Sequence, residues 1–212
     1  MSALKTAGFG NPIETWNDRY SGADYIFGTE PNQFLVQCQP YLKAGMSALA
    51  VADGEGRNSV WLAKQGLVTS AFDISPIGVE KAKKLALDEH VEVDFSVSDC
   101  NGWDWAAKKF DVIAAIFIQF AAPEVRKLLF GNMIRSLNPG GLIVLQGYTP
   151  KQLDYKTGGP PDVENLYTEE LLRTEFSSLD IMEINVYEMQ LQEGTQHSGM
   201  SALVGLVAKK MN

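Results

Sequence analysis

Short apolar segments alternate along the chain with segments of helical periodicity, and this alternation limits the possible folds more than any other feature. Residues 47–52 form an apolar run that ends in Asp53-Gly54-Glu55-Gly56, and residues 58–65 then place apolar side chains at helical spacing. Residues 67–72 and 77–89 repeat this pattern of strand, turn and helix. Repeated units of this kind predict a mostly parallel sheet, because each right-handed crossover places its helix on a face of the sheet.

The remaining chain continues the alternation until its last two strands. Further strands are predicted at residues 91–97, 110–117 and 142–146, and further helices at residues 31–42, from Pro123 to about 137, and near residues 168–176. Residues 181–191 and 202–207 are also strand-like, but only residues 192–200 join them. That connection is too short for a crossover helix, so these two strands should pair antiparallel at one edge of a doubly wound α/β sheet.

Length and charge exclude several classes of protein. At roughly 100–200 residues per domain, 212 residues predict one domain. The 18 basic residues against 26 acidic ones give a net charge of −8, which disfavours nucleic acid and anionic bilayers as partners. Cys38 and Cys100 belong to no metal-ligand motif, so we expect no metal. The N-terminal residues lack the apolar core of a signal peptide, and we expect a cytoplasmic protein without membrane contact.

Candidate binding residues follow three successive predicted strands, at the sheet edge where doubly wound folds bind ligands. Gly54 and Gly56 let the backbone approach a ligand, and Asp73 follows Gly56 by 73 − 56 = 17 residues, a spacing suited to holding a ribose. Asp99 follows the third strand, where a carboxylate can receive an adenine amino group. Ser59 stands where a dinucleotide site has its third glycine, so the pattern indicates an adenosine ligand other than a nicotinamide dinucleotide.

These residues belong to a longer series of motifs with a recognisable family pattern. The segments that resemble class I S-adenosyl-L-methionine-dependent methyltransferases are Glu55-Gly56-Arg57-Asn58, Phe72-Asp73-Ile74-Ser75, Phe110-Asp111-Val112-Ile113 and Leu137-Asn138-Pro139-Gly140-Gly141. Those that are similar to the tellurite-resistance and thiopurine branch are Trp16-Asn17-Asp18-Arg19-Tyr20, residues 25–32 and Thr157-Gly158-Gly159-Pro160. The resemblance implies a seven-stranded Rossmann-like sheet with the last strand antiparallel. It also implies a single domain over residues 1–212, with an N-terminal lid or helical extension in residues 1–45 and a Rossmann-like core in residues 46–212.

Carried over position by position, the resemblance assigns a site for S-adenosyl-L-methionine. The glycine-rich turn would lie against the methionine part, Asp73 would hold the ribose, and the N-terminal lid would cover the cofactor. The residues expected to bind the cofactor are Trp16, Arg19, Gly28, Ala52, Asp53, Gly54, Gly56, Asn58, Asp73, Ile74, Asp99, Cys100, Ile116 and Phe117.

The expected reaction is methyl transfer by in-line displacement to a small acceptor: a chalcogen oxyanion, a thiol or another small metabolite. His197, in the predicted hairpin between the last two strands, is a candidate catalytic residue together with Tyr25 and Gln119, and Tyr148 is comparable. A soft acceptor needs no strong base, whereas a hydroxyl acceptor needs one. We expect a monomer or a homodimer.

Two departures from the family pattern support an alternative function. Ala50 and Ala52 stand where class I enzymes usually carry an acidic residue and a glycine, and Asp53 is the nearby carboxylate that could compensate. Gln119 stands where related sequences often have a histidine. The alternative is a protein that binds S-adenosyl-L-methionine or a partner without catalysing methyl transfer.

Overall fold

Seven strands form one sheet at the centre of the protein, in a computed structural model that describes residues 11–211. The strands are β1 (Ser47–Val51), β2 (Val68–Asp73), β3 (Val93–Val97), β4 (Phe110–Ile116), β5 (Leu137–Tyr148), β6 (Asp180–Glu193) and β7 (His197–Lys209). Their order across the sheet is β3-β2-β1-β4-β5-β7-β6. The strands β1 to β5 pair in parallel, and β7 runs antiparallel to both β5 and β6. This arrangement confirms the predicted fold class, including the antiparallel last strand.

Helices connect the strands and cover the sheet. The helices are α1 (Pro12–Tyr20), α2 (Gln33–Gln37), α3 (Arg57–Lys64), α4 (Pro76–Asp88), α5 (Pro123–Ser136), α6 (Gln152–Tyr155) and α7 (Glu169–Glu175). At the start of α4, the Ser75 side chain accepts a hydrogen bond from the Gly78 amide, which caps a helix whose first residue is Pro76. The two faces of the sheet build different parts of the core: Leu49 and its neighbour Ala48 on β1 belong to separate apolar clusters.

Several elements differ in their bounds from the expectations. The N-terminal helix α1 lies in residues 1–45, for which a lid or helical extension was expected without bounds for a helix, and β5 begins at Leu137 rather than at residue 142. The helix predicted over residues 31–42 ends at Gln37, and the 3-10 turn Gln39–Tyr41 follows, because Pro40 has no N–H to continue an α-helix. The hairpin between β6 and β7 is tighter than predicted, since only residues 194–196 join the two strands.

Residues 1–10 of the predicted lid lie outside the described residues. Within residues 11–211, no helix is both long enough and apolar enough to cross a bilayer.

Candidate functional site

The turn after β1 and the end of β2 meet through the Asp73 carboxylate. Asp73 Oδ2 accepts a hydrogen bond from the Gly54 amide at 2.9 Å, and Oδ1 accepts one from the Ser75 amide, also at 2.9 Å. A carboxylate offers about four acceptor positions, so the Gly54 and Ser75 amides leave acceptor capacity for hydroxyl groups of a ligand. Asp73 is therefore both an anchor for the glycine turn and an acceptor suited to a ribose.

Burial raises the pKa of two carboxyl groups, Asp53 in the turn after β1 and Asp73 at the end of β2. The pKa of Asp73 rises to about 6 because burial outweighs the hydrogen bonds from the Ser75 and Gly54 amides. The pKa of Asp53 rises to about 7, mainly by burial and also through the nearby Asp73 charge, against the opposing hydrogen bonds from Ser59. Both groups therefore titrate near neutral pH rather than near pH 4.

Asp53 also caps the helix that follows the turn. Its carboxylate accepts hydrogen bonds from the Ser59 amide at 3.3 Å and from the Ser59 hydroxyl. This position satisfies an amide of the first turn of α3, which has no partner within the helix itself. Asp53 thus has a local structural role at the place where the sequence analysis proposed it as a substitute carboxylate.

The N-terminal helix α1 packs on the glycine turn through Tyr20. A Cβ atom on Gly54, whose φ is +62°, would lie 2.6 Å from the Tyr20 hydroxyl oxygen, so glycine leaves room for this contact. The Ser75 hydroxyl donates a hydrogen bond to the Asn17 side chain at 2.6 Å. We call α1 the lid, because these contacts hold it across the carboxyl ends of β1 and β2.

Trp16 of the lid and Phe27, which follows the lid in the chain, continue this cover. The Trp16 ring stacks on Tyr20 with centroids 5.4 Å apart, and Phe27 lies 6.5 Å from Trp16. The Arg19 guanidinium lies 4.6 Å from the centre of the Trp16 ring and donates a hydrogen bond to the Gln196 side chain at 3.2 Å. The lid therefore reaches from the glycine turn to the hairpin between β6 and β7.

Residues 25–28, which we call the strap, join the same two regions through their backbone. The Ile26 amide donates a hydrogen bond to Glu55 in the glycine turn at 2.8 Å. The Ile26 carbonyl accepts hydrogen bonds from the Thr195 amide at 2.9 Å and the Gln196 amide at 3.3 Å. Gly28 packs against Gly194 in the hairpin.

Four aromatic side chains from separate segments form what we call the aromatic chamber: Phe27, Phe117, Tyr148 and His197. The His197 ring centre lies 4.5 Å from that of Phe27 and 4.4 Å from that of Phe117. Phe117 lies 4.7 Å from Tyr148. Phe117 and Tyr148 stand at the carboxyl ends of the adjacent strands β4 and β5, beside the glycine turn after β1, so the chamber adjoins the candidate nucleotide site.

A buried ion pair lies beside the chamber. Arg57 donates a hydrogen bond to Glu193 Oε2 at 2.7 Å, and His197 Nδ1 lies 3.8 Å from the same oxygen. Burial alone would raise the pKa of Glu193, but the neighbouring His197 and Arg57 outweigh it and lower that pKa to about 2. Burial lowers the pKa of His197, against the opposing effect of Glu193. At neutral pH, Glu193 is therefore ionised and His197 is uncharged.

The structure separates the three candidate catalytic residues. His197 lies in the aromatic chamber, whereas the Tyr25 hydroxyl donates a hydrogen bond to the Lys81 carbonyl on α4 at 3.0 Å. The Gln119 amide nitrogen donates to the carbonyls of Tyr148 and Asn165 at 2.9 and 3.1 Å. Gln119 therefore fastens the backbone behind the chamber, and Tyr25 ties the strap to α4.

The remaining expected cofactor residues lie at the same edge of the sheet. Asp99 is exposed, and its carboxylate accepts hydrogen bonds from the amides of Asn101 and Gly102 at 2.9 and 2.6 Å. Cys100 is buried, and burial raises the pKa of its thiol. Ile74 follows β2 and Ile116 ends β4, and both side chains are partly exposed. Asn58 Oδ1 accepts a hydrogen bond from the Asn32 amide at 3.0 Å.

The sequence analysis missed two contributors to the site. Tyr20 was expected in the lid but not on the glycine turn, and Glu193 was assigned no role. Glu193 precedes His197 by four residues across a Gly-containing turn, and this spacing was the available signal. The Arg57 partner of Glu193 is 136 residues away, so sequence pattern alone did not connect them.

Comparison with known proteins places this architecture among methyltransferases. A protein family described as a methyltransferase domain matches residues 48–141. The chain is 33% identical over 133 residues to the ribosomal protein L11 methyltransferase of Dictyoglomus turgidum (strain DSM 6724 / Z-1310), which aligns 60% of this chain with 42% of that protein. The chain thus spans less than half the length of this curated relative.

Solved structures share the fold over nearly the whole chain. TehB from Haemophilus influenzae has a TM-score of 0.69 at 16% identity, covering 93% of this chain and 66% of that one. The N-methyltransferase NodS from Bradyrhizobium japonicum WM9, in complex with S-adenosyl-L-homocysteine, has a TM-score of 0.73 at 14% identity, covering 94% and 98%. A methyltransferase domain is thus matched over residues 48–141, and nearly the whole chain has the fold of solved methyltransferases such as NodS.

Proposed function

We propose that this protein binds S-adenosyl-L-methionine at the carboxyl ends of β1 and β2 and transfers the methyl group to a small acceptor. The main support is the geometry of Asp73, whose carboxylate is fixed by two backbone amides and keeps acceptor positions for the ribose hydroxyls. Gly54 and Ala52 would lie along the methionine part, and the lid would cover the cofactor. When bound, the cofactor supplies an electrophilic methyl group on a sulfonium.

The contribution of the chain to this reaction would be alignment and exclusion of water. Trp16, Tyr20 and Phe27 offer an apolar cover, and Phe117 would stand between the cofactor site and the aromatic chamber. Holding the acceptor in line with the methyl group converts an encounter of two molecules into a step within one complex, which lowers the barrier by several kcal/mol. A closed, dry site also prevents water from competing with the acceptor.

His197 is our candidate for the group that takes up the acceptor's proton. An uncharged imidazole is a base at neutral pH, and burial lowers the pKa of His197, which favours that form. As the acceptor heteroatom forms its bond to the methyl carbon, its proton would pass to His197. The ionised Glu193, 3.8 Å away, would stabilise the resulting positive charge.

A small acceptor agrees with the burial of the residues that form the chamber. Its walls are close-packed aromatic rings, and Tyr148 is only 1% exposed, which suits a small molecule better than a segment of folded protein. The curated relative is named for a ribosomal protein, but this chain aligns with only 42% of it.

Binding without turnover is the second candidate. It is supported by Ala50, which replaces the usual acidic residue of the first strand, and by the use of Asp53 as a helix cap. The two candidates differ in product: only the first forms S-adenosyl-L-homocysteine when acceptors are supplied.

Isothermal titration calorimetry with S-adenosyl-L-homocysteine tests the binding site. We expect the wild type to bind with micromolar affinity, and Asp73→Ala to weaken binding at least tenfold because the ribose hydroxyls lose their acceptor and the glycine turn loses its anchor. Glu80→Ala, which removes an exposed carboxylate paired with Lys83, is the control and should bind like the wild type. Absence of binding heat in the wild type would refute the proposed function.

A further inference from the structure

We propose that the Tyr148 hydroxyl binds the polar atom of the methyl acceptor, and that the acceptor is an uncharged molecule with one hydrogen-bonding group on an apolar body. This inference rests on the proposed function, and it adds a specificity-determining residue and a class of acceptor. It starts from two buried polar atoms that the fold leaves without partners.

Those atoms are the hydroxyl oxygen of Tyr148 and Nδ1 of His197. Both are buried, and neither has a hydrogen-bond partner within residues 11–211. The two rings lie 5.8 Å apart and nearly perpendicular, at 85°. A buried polar group without a partner costs about 1–3 kcal/mol, so native proteins rarely keep one without a reason. A ligand that hydrogen-bonds to these atoms would recover that cost.

Glycine backbone and apolar rings surround the hydroxyl. A Cβ atom on Gly158 would lie 3.1 Å from the Tyr148 hydroxyl oxygen, and one on Gly159 would lie 2.9 Å from the Tyr148 ring. Glycine at both positions lets the backbone pass directly against the tyrosine, so side chains there would displace its ring or its hydroxyl. Phe117 and Phe27 provide apolar walls around the adjacent His197, which suits an acceptor with an apolar body.

Charge at the chamber favours an uncharged acceptor. The nearest buried charges, Arg57 and Glu193, neutralise each other in a hydrogen-bonded pair at 2.7 Å. Burial raises the pKa of Tyr148 and lowers that of His197, so both side chains are uncharged at neutral pH. A charged acceptor in the chamber would lose hydration without gaining an opposite charge from these groups.

A second buried tyrosine provides a matched control. Tyr167 is fully buried, and its hydroxyl also has no hydrogen-bond partner among the described residues. Its ring packs against Phe130 in the core cluster, away from His197. Removing the hydroxyl of Tyr167 therefore reproduces the chemical change of Tyr148→Phe outside the chamber.

The test compares two thiols of similar size as acceptors, 2-mercaptoethanol and 1-propanethiol, which differ in carrying a terminal hydroxyl or a methyl group. Each transfer forms a carbon–sulfur bond on the thiol and releases one proton and S-adenosyl-L-homocysteine, which is measured. We expect wild type and Tyr167→Phe to prefer 2-mercaptoethanol about tenfold in kcat/KM, and Tyr148→Phe to reduce that preference to about twofold or less.

Three results would overturn the inference. They are methylation of neither thiol by the wild type, an unchanged preference in Tyr148→Phe, and turnover of sodium tellurite that Tyr148→Phe leaves unaffected. In each case, intact binding of S-adenosyl-L-homocysteine in calorimetry would leave the proposed function standing. If Tyr148→Phe does not fold, Gly158→Ala replaces it: a methyl group 3.1 Å from the hydroxyl should reduce the same preference several-fold, and an unchanged preference contradicts the inference.

Discussion

Two non-glycine residues at the site hold left-handed backbone conformations. Ala52, after β1, has a φ of +49°, and Phe117, after β4, has a φ of +55°. A side chain in this region costs on the order of 1–3 kcal/mol and persists only where the surrounding structure enforces it. The conformation of Ala52 gives a physical reason why related enzymes usually have glycine there. The conformation of Phe117 turns the chain out of β4, where its ring contacts His197 and Tyr148.

The raised pKa of Asp73 predicts a pH dependence of cofactor binding. Ribose hydroxyls donate hydrogen bonds more strongly to a carboxylate than to a carboxylic acid. Because the pKa of Asp73 is about 6, the group is mostly ionised at pH 8 and mostly protonated at pH 5. We expect the dissociation constant for S-adenosyl-L-homocysteine to be constant above pH 7 and to rise about tenfold per pH unit well below pH 6.

Two variants test whether Asp73 or the neighbouring Asp53 causes the pH dependence of binding. Asp73→Asn should bind weakly and lose the pH dependence, as measured by calorimetry from pH 5 to 8. Asp53→Asn should keep it, because Asp53 is hydrogen-bonded to Ser59 and is not assigned to the ribose. A wild-type affinity that does not change between pH 5 and 8 would contradict the assignment of Asp73 to the ribose.

At the scale of helices and strands, the sequence predicted best the elements that are buried on both sides. The predicted strands at residues 47–52 and 67–72 lie within a residue or two of β1 and β2, because buried parallel strands are continuous apolar runs bounded by turns. The bounds of the lid helix were not predicted, because only Tyr20 of its residues is buried and the apolar pattern is weak. Contacts with Gly54 and Ser75, which are distant in the sequence, stabilise it instead.

Because α3 packs closely against α4 at Gly56, we expect that adding one methyl group there lowers the stability of the protein substantially. A Cβ atom on Gly56 would lie 2.6 Å from the Ala82 Cβ and 2.8 Å from its Cα. Neither atom can rotate away, so Gly56→Ala must separate the helices or strain the turn, and overpacking of this kind costs about 1–3 kcal/mol. Its φ of +94° adds a backbone cost of about 1–2 kcal/mol for any side chain.

The variant Gly45→Ala measures the backbone cost without the cost of overpacking. Gly45 has a similar φ of +86°, but a Cβ atom there would meet nothing within 4 Å. Urea unfolding should show a loss of about 1–2 kcal/mol for Gly45→Ala, from the backbone alone, and a larger loss for Gly56→Ala. Equal losses in the two variants would show that contact between α3 and α4 does not require glycine at position 56.

For the whole molecule, the sequence predicted the nucleotide site better than the acceptor site. Gly54 and Asp73 lie within 19 residues of each other, and the strand–turn–helix unit fixes their relation. Phe27, Phe117, Tyr148 and His197 come from four segments spread over 170 residues (197 − 27), and only the completed sheet brings them together. No short-range pattern links them, although the carboxyl ends of β4 and β5 were predicted to within two residues.

The strap predicts that the nucleotide site and the hairpin respond together when the cofactor binds. Ile26 is hydrogen-bonded to Glu55 on one side and to Thr195 and Gln196 on the other. If the lid and strap must open together to release the ligand, a ligand bound under the lid stabilises the closed form by about 2.7 kcal/mol at a concentration of 100 times Kd. Amides that exchange with solvent only through this opening would then exchange about a hundredfold more slowly.

Hydrogen–deuterium exchange with and without S-adenosyl-L-homocysteine measures this coupling. We expect comparable slowing at the Ile26 amide and at the Thr195 and Gln196 amides, even though the hairpin is not part of the proposed nucleotide site. Glu55→Gln weakens the charge-assisted bond to Ile26 and should reduce the slowing at the hairpin more than at the Gly54 amide, which Asp73 holds directly. Slowing confined to the glycine turn would mean that the two halves of the site move independently, and that the strap does not couple cofactor binding to the aromatic chamber.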